Sequence, residues 1–386
     1  MDFGFSDEDE AFRGEARGWL VEHLNGAVER RSWERVLGKA GWIGLGWGEE
    51  GYGNRVVGLT QQVVWAEEYA RAEAPPRSGH IGEKLLAPTL IAHGTQDQKS
   101  RFLPPIAAGE ELWCQGYSEP GAGSDLAGVR TTAVRDGTGT GSGYRISGQK
   151  IWTSLAHEAD WCFVLARTDP DSRRHHGLSF LLVPMDQPGR IDVRPIRQLT
   201  GTSEFNEVFF DGAHARAAHL VGGEGNGWTV AMSLLGFERG VSTLAQQIGF
   251  AEELAQVVRT AVRTGAVGDP VVRAALVRQW AELRVMRWNA LRTLGGDADP
   301  AAPSVAKLLW GNWHQRLGEL AVRVRGAEAA VGPKDWSAAA PYEVDADQYL
   351  FLFSRADTIY GGSDQVQRGI VAERVLGLPR EPKGAV

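Results

Sequence analysis

The chain has 386 residues, a formal net charge of −7, 43% hydrophobic and 23% charged residues, which is enough to bury a large core in two or three domains. That balance excludes a general nucleic-acid-binding or anionic-membrane surface, though not a local basic site for a phosphate-bearing ligand. Cys114 and Cys162 are the two cysteines. They form neither a disulfide framework nor a zinc pattern, so a reducing cytoplasm is the expected setting. The acidic start MDFGFSDEDEAF lacks the basic and apolar regions of a signal peptide, and no apolar run approaches the length of a membrane span.

Residues 1–111 read as a helical domain. Ser6 is placed to cap a helix whose first turn holds Asp7, Glu8 and Asp9, carboxylates that suit its positive end. LTQQVVWAEEYARAEA has helical period, with Val63, Val64, Ala66 and Ala70 toward one face. EKLLAPTLIAHGT is a further helix, ended by Gly94, and TQDQKSRFLPPIAAGE is expected to stop at its proline pair. GWGEEG, Gly46 to Gly51, matches a dinucleotide fingerprint in form. It has no strand before it and no βαβ unit around it, so it reads as a turn between helices.

Residues 112–221 change period. YRISGQKIWTSL, DWCFVLART, GLSFLLVP, IDVRPI and SEFNEVFFDG are short and rich in β-branched and aromatic residues, with Gly, Asp, Pro and Ser between them. They predict an antiparallel β domain. RDGTGTGSGY reads as an exposed hairpin loop, and His175–His176 as a solvated loop, because adjacent histidines do not readily face one metal. WCQGYSEPGAGSD gathers hydroxyls, glycines and a proline where the β domain begins. It is either an ordinary turn or a loop whose backbone approaches a ligand. In GQKIWTSL, Trp152 stands beside Thr153 and Ser154 and is either core or a wall for a flat aromatic ligand.

Residues 222–386 read as a four-helix bundle. WTVAMSLLGFERGVSTLAQQIGFAEELAQVVRTAV is one long helical pattern; the second helix has Asp269 as cap and Pro270 at its first position. APSVAKLLWGNWHQRLGELAVRVRG is the third, and a fourth covers the chain end with Ser363 as cap. Trp280, Trp288, Trp310 and Trp313 are expected in the bundle core. Along the first helix Leu234, Glu238, Val241, Ala245 and Ile248 recur at three- and four-residue steps, which places one carboxylate in an apolar stripe with Gly236 and Gly240 beside it. Desolvation raises the pKa of such a group, as a general base near neutrality requires; a buried ion pair with an arginine is the alternative.

YSEPGAGSDLAGV, GQKIWTS, the helix holding FERG, and IYGGSDQVQRGIVAERVLGLPR occur in that order. Together they resemble the acyl-CoA dehydrogenase family over nearly the whole chain. The resemblance implies an α+β fold: an N-terminal helical domain, a middle antiparallel β domain and a C-terminal four-helix bundle, with FAD between the β domain and the bundle. It implies that Tyr117, Ser118 and Ser124 line the isoalloxazine, that Trp152 and Ser154 stand near its N5, and that Ser363 and Gln365 contact the cofactor of a neighbouring subunit or the thioester region. Many relatives have the catalytic glutamate after Ile-Tyr, where this chain has Gly361. A second branch carries the base on the first long bundle helix before an arginine, here Glu238 and Arg239. The resemblance then implies Glu238 as the α-proton base, Gly361 as a backbone donor to the thioester carbonyl, and Ser124 and Arg239 toward the substrate. It further implies an acyl-CoA substrate and an electron-transfer flavoprotein as acceptor. Relatives grip the FAD pyrophosphate with an Arg and a Phe-Gly pair; here VRTGAVGDP offers Arg263. They carry Gln-x-x-Gly-Gly near the adenine; here VRVRGAEAAVG stands there. A partner subunit completing that side makes a heterotetramer an expectation beside a homo-oligomer. The rival readings are a dehydrogenase of carrier-protein-bound acyl groups, a flavin oxidase or monooxygenase on the same fold, and a non-catalytic subunit.

Overall fold

The structure is a computed structural model and describes residues 5–24, 26, 29–137, 142–238, 242–294, 302–331 and 344–379. They fall into two compact units, one built from residues 5–197 and 203–240, the other chiefly from residue 241 onward.

The first unit opens with helices α1 (Asp7–His23), α2 (Arg30–Lys39), α3 (Leu59–Arg71), α4 (Ala87–His93) and α5 (Gln96–Ala107). Ser6 caps α1 as expected: its hydroxyl accepts from Asp9 N at 3.2 Å, and the Asp9 carboxylate accepts from Ser6 N at 2.9 Å. The GWGEEG segment lies in the irregular connection between α2 and α3. Trp33, Leu37, Trp42, Val64 and Trp65 form one buried cluster, with Trp42 and Trp65 stacked at 4.1 Å. The expectation for the proline pair is corrected. Helix α5 runs through Pro104 and Pro105 to Ala107. Phe102, Leu103, Ile106 and Ala107 are all buried, and the proline carbonyls accept from Ala108 N and Glu110 N at 2.9 Å each. Packing of the last turn therefore offsets the two amide donors that proline removes.

Among the described residues eight strands follow: β1 (Trp113–Gly116), β2 (Thr132–Asp136), β3 (Gly143–Ser154), β4 (Trp161–Arg167), β5 (Leu178–Pro184), β6 (Ile191–Ile196), β7 (Phe205–Arg216) and β8 (Leu220–Val221). Their order is β6-β7-β3-β2-β4-β5-β8, with β1 on β4. The sheet is mostly antiparallel, but β1 pairs with β4 in parallel and β2 touches β4 in parallel at Thr132–Arg167. The β2–β3 hairpin intervenes between β1 and β4, so no tight turn forces those two strands to run in opposite directions. That hairpin pairs Asp136 with Gly143, and loop residues 138–141 lie outside the described residues. Pro195 is accommodated because β6 is an edge strand. Helix α6 (Gly227–Glu238) packs Val230, Ala231 and Leu234 into the cluster that holds Phe180 and Leu182 of β5.

The second unit contains α7 (Ser242–Arg263), α8 (Pro270–Leu294), α9 (Ala302–Arg325), α10 (Ala346–Phe353) and α11 (Asp364–Ile370). Asp269 caps α8, accepting from Val271 N at 2.8 Å. The first long helical pattern is described as α6 and α7, with 239–241 outside the described residues. The buried face of α7 runs through Gln247, Phe250, Leu254, Val257 and Ala261, and Ile248 is only half-buried. Trp310 and Trp313 are core as expected, but Trp280 and Trp288 are 55% and 54% exposed. Trp280 lies on the flank of the buried face that carries Leu276, Leu283 and Met286, Trp288 lies further round the helix, and the Arg284 guanidinium lies 5.3 Å from the Trp280 ring. The helix expected after Ser363 is α11, and α10 and a 3₁₀ turn at Ser354–Thr358 precede it. Gly361 and Gly362, at φ +62° and +86°, separate the last two in a conformation that side chains disfavour.

Candidate active site

In the first unit a buried lysine joins the two motifs quoted from the β domain. Lys150 of β3 is fully buried. Its ammonium donates to Tyr117 O at 3.0 Å, Leu165 O at 2.8 Å and Glu119 Oε1 at 2.8 Å. Glu119 also accepts from Arg130 N at 2.7 Å and Thr131 N at 2.8 Å, so one carboxylate closes both ends of the loop 119–131. Burial works to raise the Glu119 carboxyl, but Lys150 and the amide donors outweigh it and hold the group below its ordinary value. Burial pulls the Lys150 ammonium down, opposed by the attraction of Glu119. Ser118 O accepts from Ile151 N at 2.9 Å, and Glu119 and Ala122 exchange backbone hydrogen bonds of 3.1 and 3.0 Å around Pro120 and Gly121. Tyr117 is thereby buried beside Phe163 and Phe180, Ser118 is half-buried, and Ser124 is exposed.

Trp152 is presented differently from a core residue. The β3–β7 register slips between Lys150 and Thr153, and Trp152 sits in the slip at φ +60°. A left-handed backbone costs a bulky side chain about 1–2 kcal/mol, and bulges re-aim side chains in this way. The indole is 56% exposed, touching Phe205 edge-on at 6.1 Å, and Ser154 stands half-buried at the strand end. Strain that displays a large aromatic to solvent is a mark of a binding surface. On α6 the backbone reaches Glu238, whose side chain lies outside the description, as does Arg239 entirely. Leu234, one turn earlier, is fully buried, and a Cβ added at Gly236 would meet no atom within 4 Å.

In the second unit the segment 357–367 is held by side chains of α9. Asp357 is buried and accepts from the Tyr360 hydroxyl at 2.6 Å and from His314 Nδ1 at 2.5 Å. Asn312 donates to Asp364 at 2.8 Å and Gln315 to Thr358 at 2.9 Å. Gln367, fully buried, donates to Gly361 O and Gly362 O at 3.2 and 3.3 Å. Ser363 caps α11, accepting from Val366 N at 3.4 Å, while Gln365 and Gly361 are exposed. Arg263 is exposed on the last turn of α7. Tyr117, Ser118, Trp152 and Ser154 thus lie on two hydrogen-bonded segments of the first unit, and Gly361, Ser363 and Gln365 on one turn of the second.

Three family models match this chain in order: the N-terminal domain of acyl-CoA dehydrogenase over residues 6–110, the middle domain over 114–213 and the C-terminal domain over 225–376. The chain belongs to the acyl-CoA dehydrogenase family. It is 54% identical to the acyl-CoA dehydrogenase IpdE1 of Mycobacterium tuberculosis, covering 97% of this chain and 99% of that protein. Among solved structures it is similar to the Tcur3481-Tcur3483 steroid ACAD, with TM-score 0.84, 30% identity, and coverage of 99% of this chain and 100% of that one. It is also similar to the ChsE4-ChsE5 complex from Mycobacterium tuberculosis, with TM-score 0.80, 31% identity and the same coverage. The fold class read from the sequence holds, amended by the parallel pairing of β1 and of β2 with β4. The family is one of FAD-dependent oxidoreductases acting on acyl-CoA. Trp152 offers an accessible aromatic face beside a glycine-rich loop fixed by a buried ion pair, a chemistry that suits a flat aromatic cofactor. Among the described residues no helix is long and apolar enough to cross a membrane, and no cluster of His, Cys, Asp and Glu could hold a metal.

Lys150 and Glu119 were not singled out from the sequence, although both lie inside the quoted motifs. The available signal was weak: a lysine in a strand beside Ile151 and Trp152, and an acid, Glu119, in a glycine-rich loop that also carries Asp125.

Proposed function

We propose that this acyl-CoA dehydrogenase forms a trans-2-enoyl thioester, with Glu238 as the base that removes the α-proton. The observation that carries the reading is the pair of positions 238 and 361. The Ile359–Tyr360–Gly361 turn bears no side chain able to take a proton at Gly361, whereas α6 brings a carboxylate to 238 one turn beyond the buried Leu234. Apolar surroundings raise a carboxylate's pKa toward the range a general base needs. The Gly361 N–H polarises the thioester carbonyl, which acidifies the α-proton. Tyr117, Ser118, Ser124, Trp152 and Ser154 hold the flavin end, with Ser124 and Arg239 also toward the substrate. Arg263, Ser363 and Gln365 serve the rest of the cofactor. The bound flavin supplies the acceptor for the β-hydride, and an electron-transfer flavoprotein reoxidises it.

The acyl group in this reading is a bulky ring-bearing one of steroid origin, supported by the 30% identity to a steroid ACAD over 99% of the chain. A heterotetramer is supported by the likeness to two-component complexes, by the exposed Trp280 and Trp288, and by the missing Gln-x-x-Gly-Gly segment. Cys114 and Cys162, register partners on adjacent strands and both free thiols, support a cytoplasmic setting.

The test is an anaerobic titration of the flavin-loaded protein, alone and with a co-expressed partner, using straight-chain, branched and steroid-derived acyl-CoA thioesters. Bleaching of the flavin by the ring-bearing class, abolished in Glu238→Gln with flavin retained, is the expected result. Unaltered bleaching in Glu238→Gln refutes the assignment of the base. A protein that stays colourless with any partner favours the non-catalytic subunit.

A further inference from the structure

His314 is a buried histidine on α9 for which the proposed chemistry gives no role, and it stands between two carboxylates. Its Nδ1 lies 2.5 Å from Asp357 Oδ2 and its Nε2 lies 2.8 Å from Glu253 Oε2. A neutral imidazole has one N–H and one lone pair, so either tautomer would set a lone pair against a carboxylate oxygen. Only the doubly protonated ring donates to both. Burial works to lower the pKa of this ring, and the hydrogen bonds and charges of Asp357 and Glu253 outweigh it, pushing it up to about 9.

Asp357 passes that restraint onward. Its second oxygen accepts from the Tyr360 hydroxyl, and its backbone carbonyl accepts from Lys307 Nζ. The Lys307 ammonium also lies 4.6 Å from the Tyr360 ring centre. Tyr360 immediately precedes Gly361, and the glycine pair that follows has little conformational preference of its own. Its position must therefore be imposed by what grips either side, and both sides are gripped by α9. We propose that the His314 imidazolium is a positioning residue for the reaction: bridging Glu253 and Asp357, it sets Tyr360 and hence the Gly361 turn against the thioester. This rests on the reading above that the turn borders the thioester. The charged groups on the ring are Glu253 from α7 and Asp357 from the segment before α11; Tyr349 of α10 and Tyr360 line the cavity beside it, and Lys307 of α9 reaches Asp357 O rather than the ring. A cavity of about 230 Å³ opens beside them. The Glu253 side chain is 41% exposed, so the ring equilibrates with solvent pH.

The test uses full-length protein in its native assembly, with His314→Asn and the milder Glu253→Gln. The amides of Ile359 and Tyr360 bond to Ala356 O at 2.8 and 3.0 Å. In His314→Asn their hydrogen exchange should quicken about tenfold or more while the β-sheet amides stay unchanged. With an acyl-CoA that bleaches the flavin, kcat should fall about tenfold and KM should move less than about threefold. Wild-type kcat should decline as pH rises through about 9. Glu253→Gln should move that decline about one unit lower by removing one of the two charges that hold the proton. Unchanged exchange at Ile359 and Tyr360, or an alkaline decline that Glu253→Gln leaves in place, overturns the proposal. Wild-type protein that bleaches with no thioester sinks the functional reading alone, because the exchange measurement still decides whether His314 holds the turn.

Discussion

Replacing Lys150 by methionine keeps the length of the side chain and removes its charge. The ammonium is fully buried and has three acceptors, Tyr117 O, Leu165 O and Glu119 Oε1. Its loss leaves Glu119, itself 8% exposed, as a buried carboxylate served by neutral donors, among them the amides of Arg130 and Thr131. Breaking a buried ion pair from one side costs about 3–5 kcal/mol, much of it the desolvation of the orphaned charge. For a folding unit of this size each kcal/mol lowers the midpoint by about 2–4 °C, so the melting temperature should fall by about 6–20 °C. Thermal or urea unfolding followed by tryptophan fluorescence measures this. Adding Glu119→Gln to Lys150→Met should recover part of the loss, because no buried charge then remains unpaired. A single variant within about 1 kcal/mol of wild type would refute the reasoning, as would a double variant as unstable as the sum of the two singles. The loop 117–124 loses its anchor in Lys150→Met, so flavin content after purification should fall as well.

Glu238→Gln should bind flavin normally and lose substrate-dependent bleaching by about a hundredfold or more, as expected when a positioned general base is removed; stopped-flow absorbance reads this. Trp152→Gly relieves a left-handed backbone worth about 1–2 kcal/mol, so its unfolding free energy should stay within about 1 kcal/mol of wild type. Gel filtration of the same variant should show weakened flavin retention. His314 is raised in the folded state, so its stabilisation is fully present below its unfolded value of 6.5 and is lost as pH rises through about 9. That interval corresponds to about 3 kcal/mol, and urea unfolding of wild type and His314→Asn should converge as pH is taken from 6.5 to above 9.

Signals that act over a few residues were legible. Ser6, Asp269 and Ser363 cap the helices the sequence assigns them, because a cap needs only a side-chain oxygen and the amides two or three residues on. The middle strands follow from their β-branched and aromatic content and the turn residues between them. The glycine pair Gly361–Gly362 announced a backbone conformation that other residues avoid, and both adopt it. The proline pair was misjudged because its effect is local and unfavourable, whereas burial of Phe102 and Ile106 is nonlocal and stronger. Trp280 and Trp288 were misjudged because α8 is apolar around much of its circumference, so the side that faces its neighbours is decided by those neighbours.

By itself the sequence determined the order of helical and β segments, the family motifs, and the candidate base at Glu238, since each is written in neighbouring residues or in one period of helix or strand. Only the tertiary structure decided that β1 runs parallel to β4, that Trp152 is turned outward, and which charges are paired. Glu119 and Lys150 are 31 residues apart, and His314 lies 61 from Glu253 and 43 from Asp357. Pairings at such separation carry no periodic trace. They are selected when the chain closes on itself, because a charge removed from water must meet whichever partner the fold brings within reach.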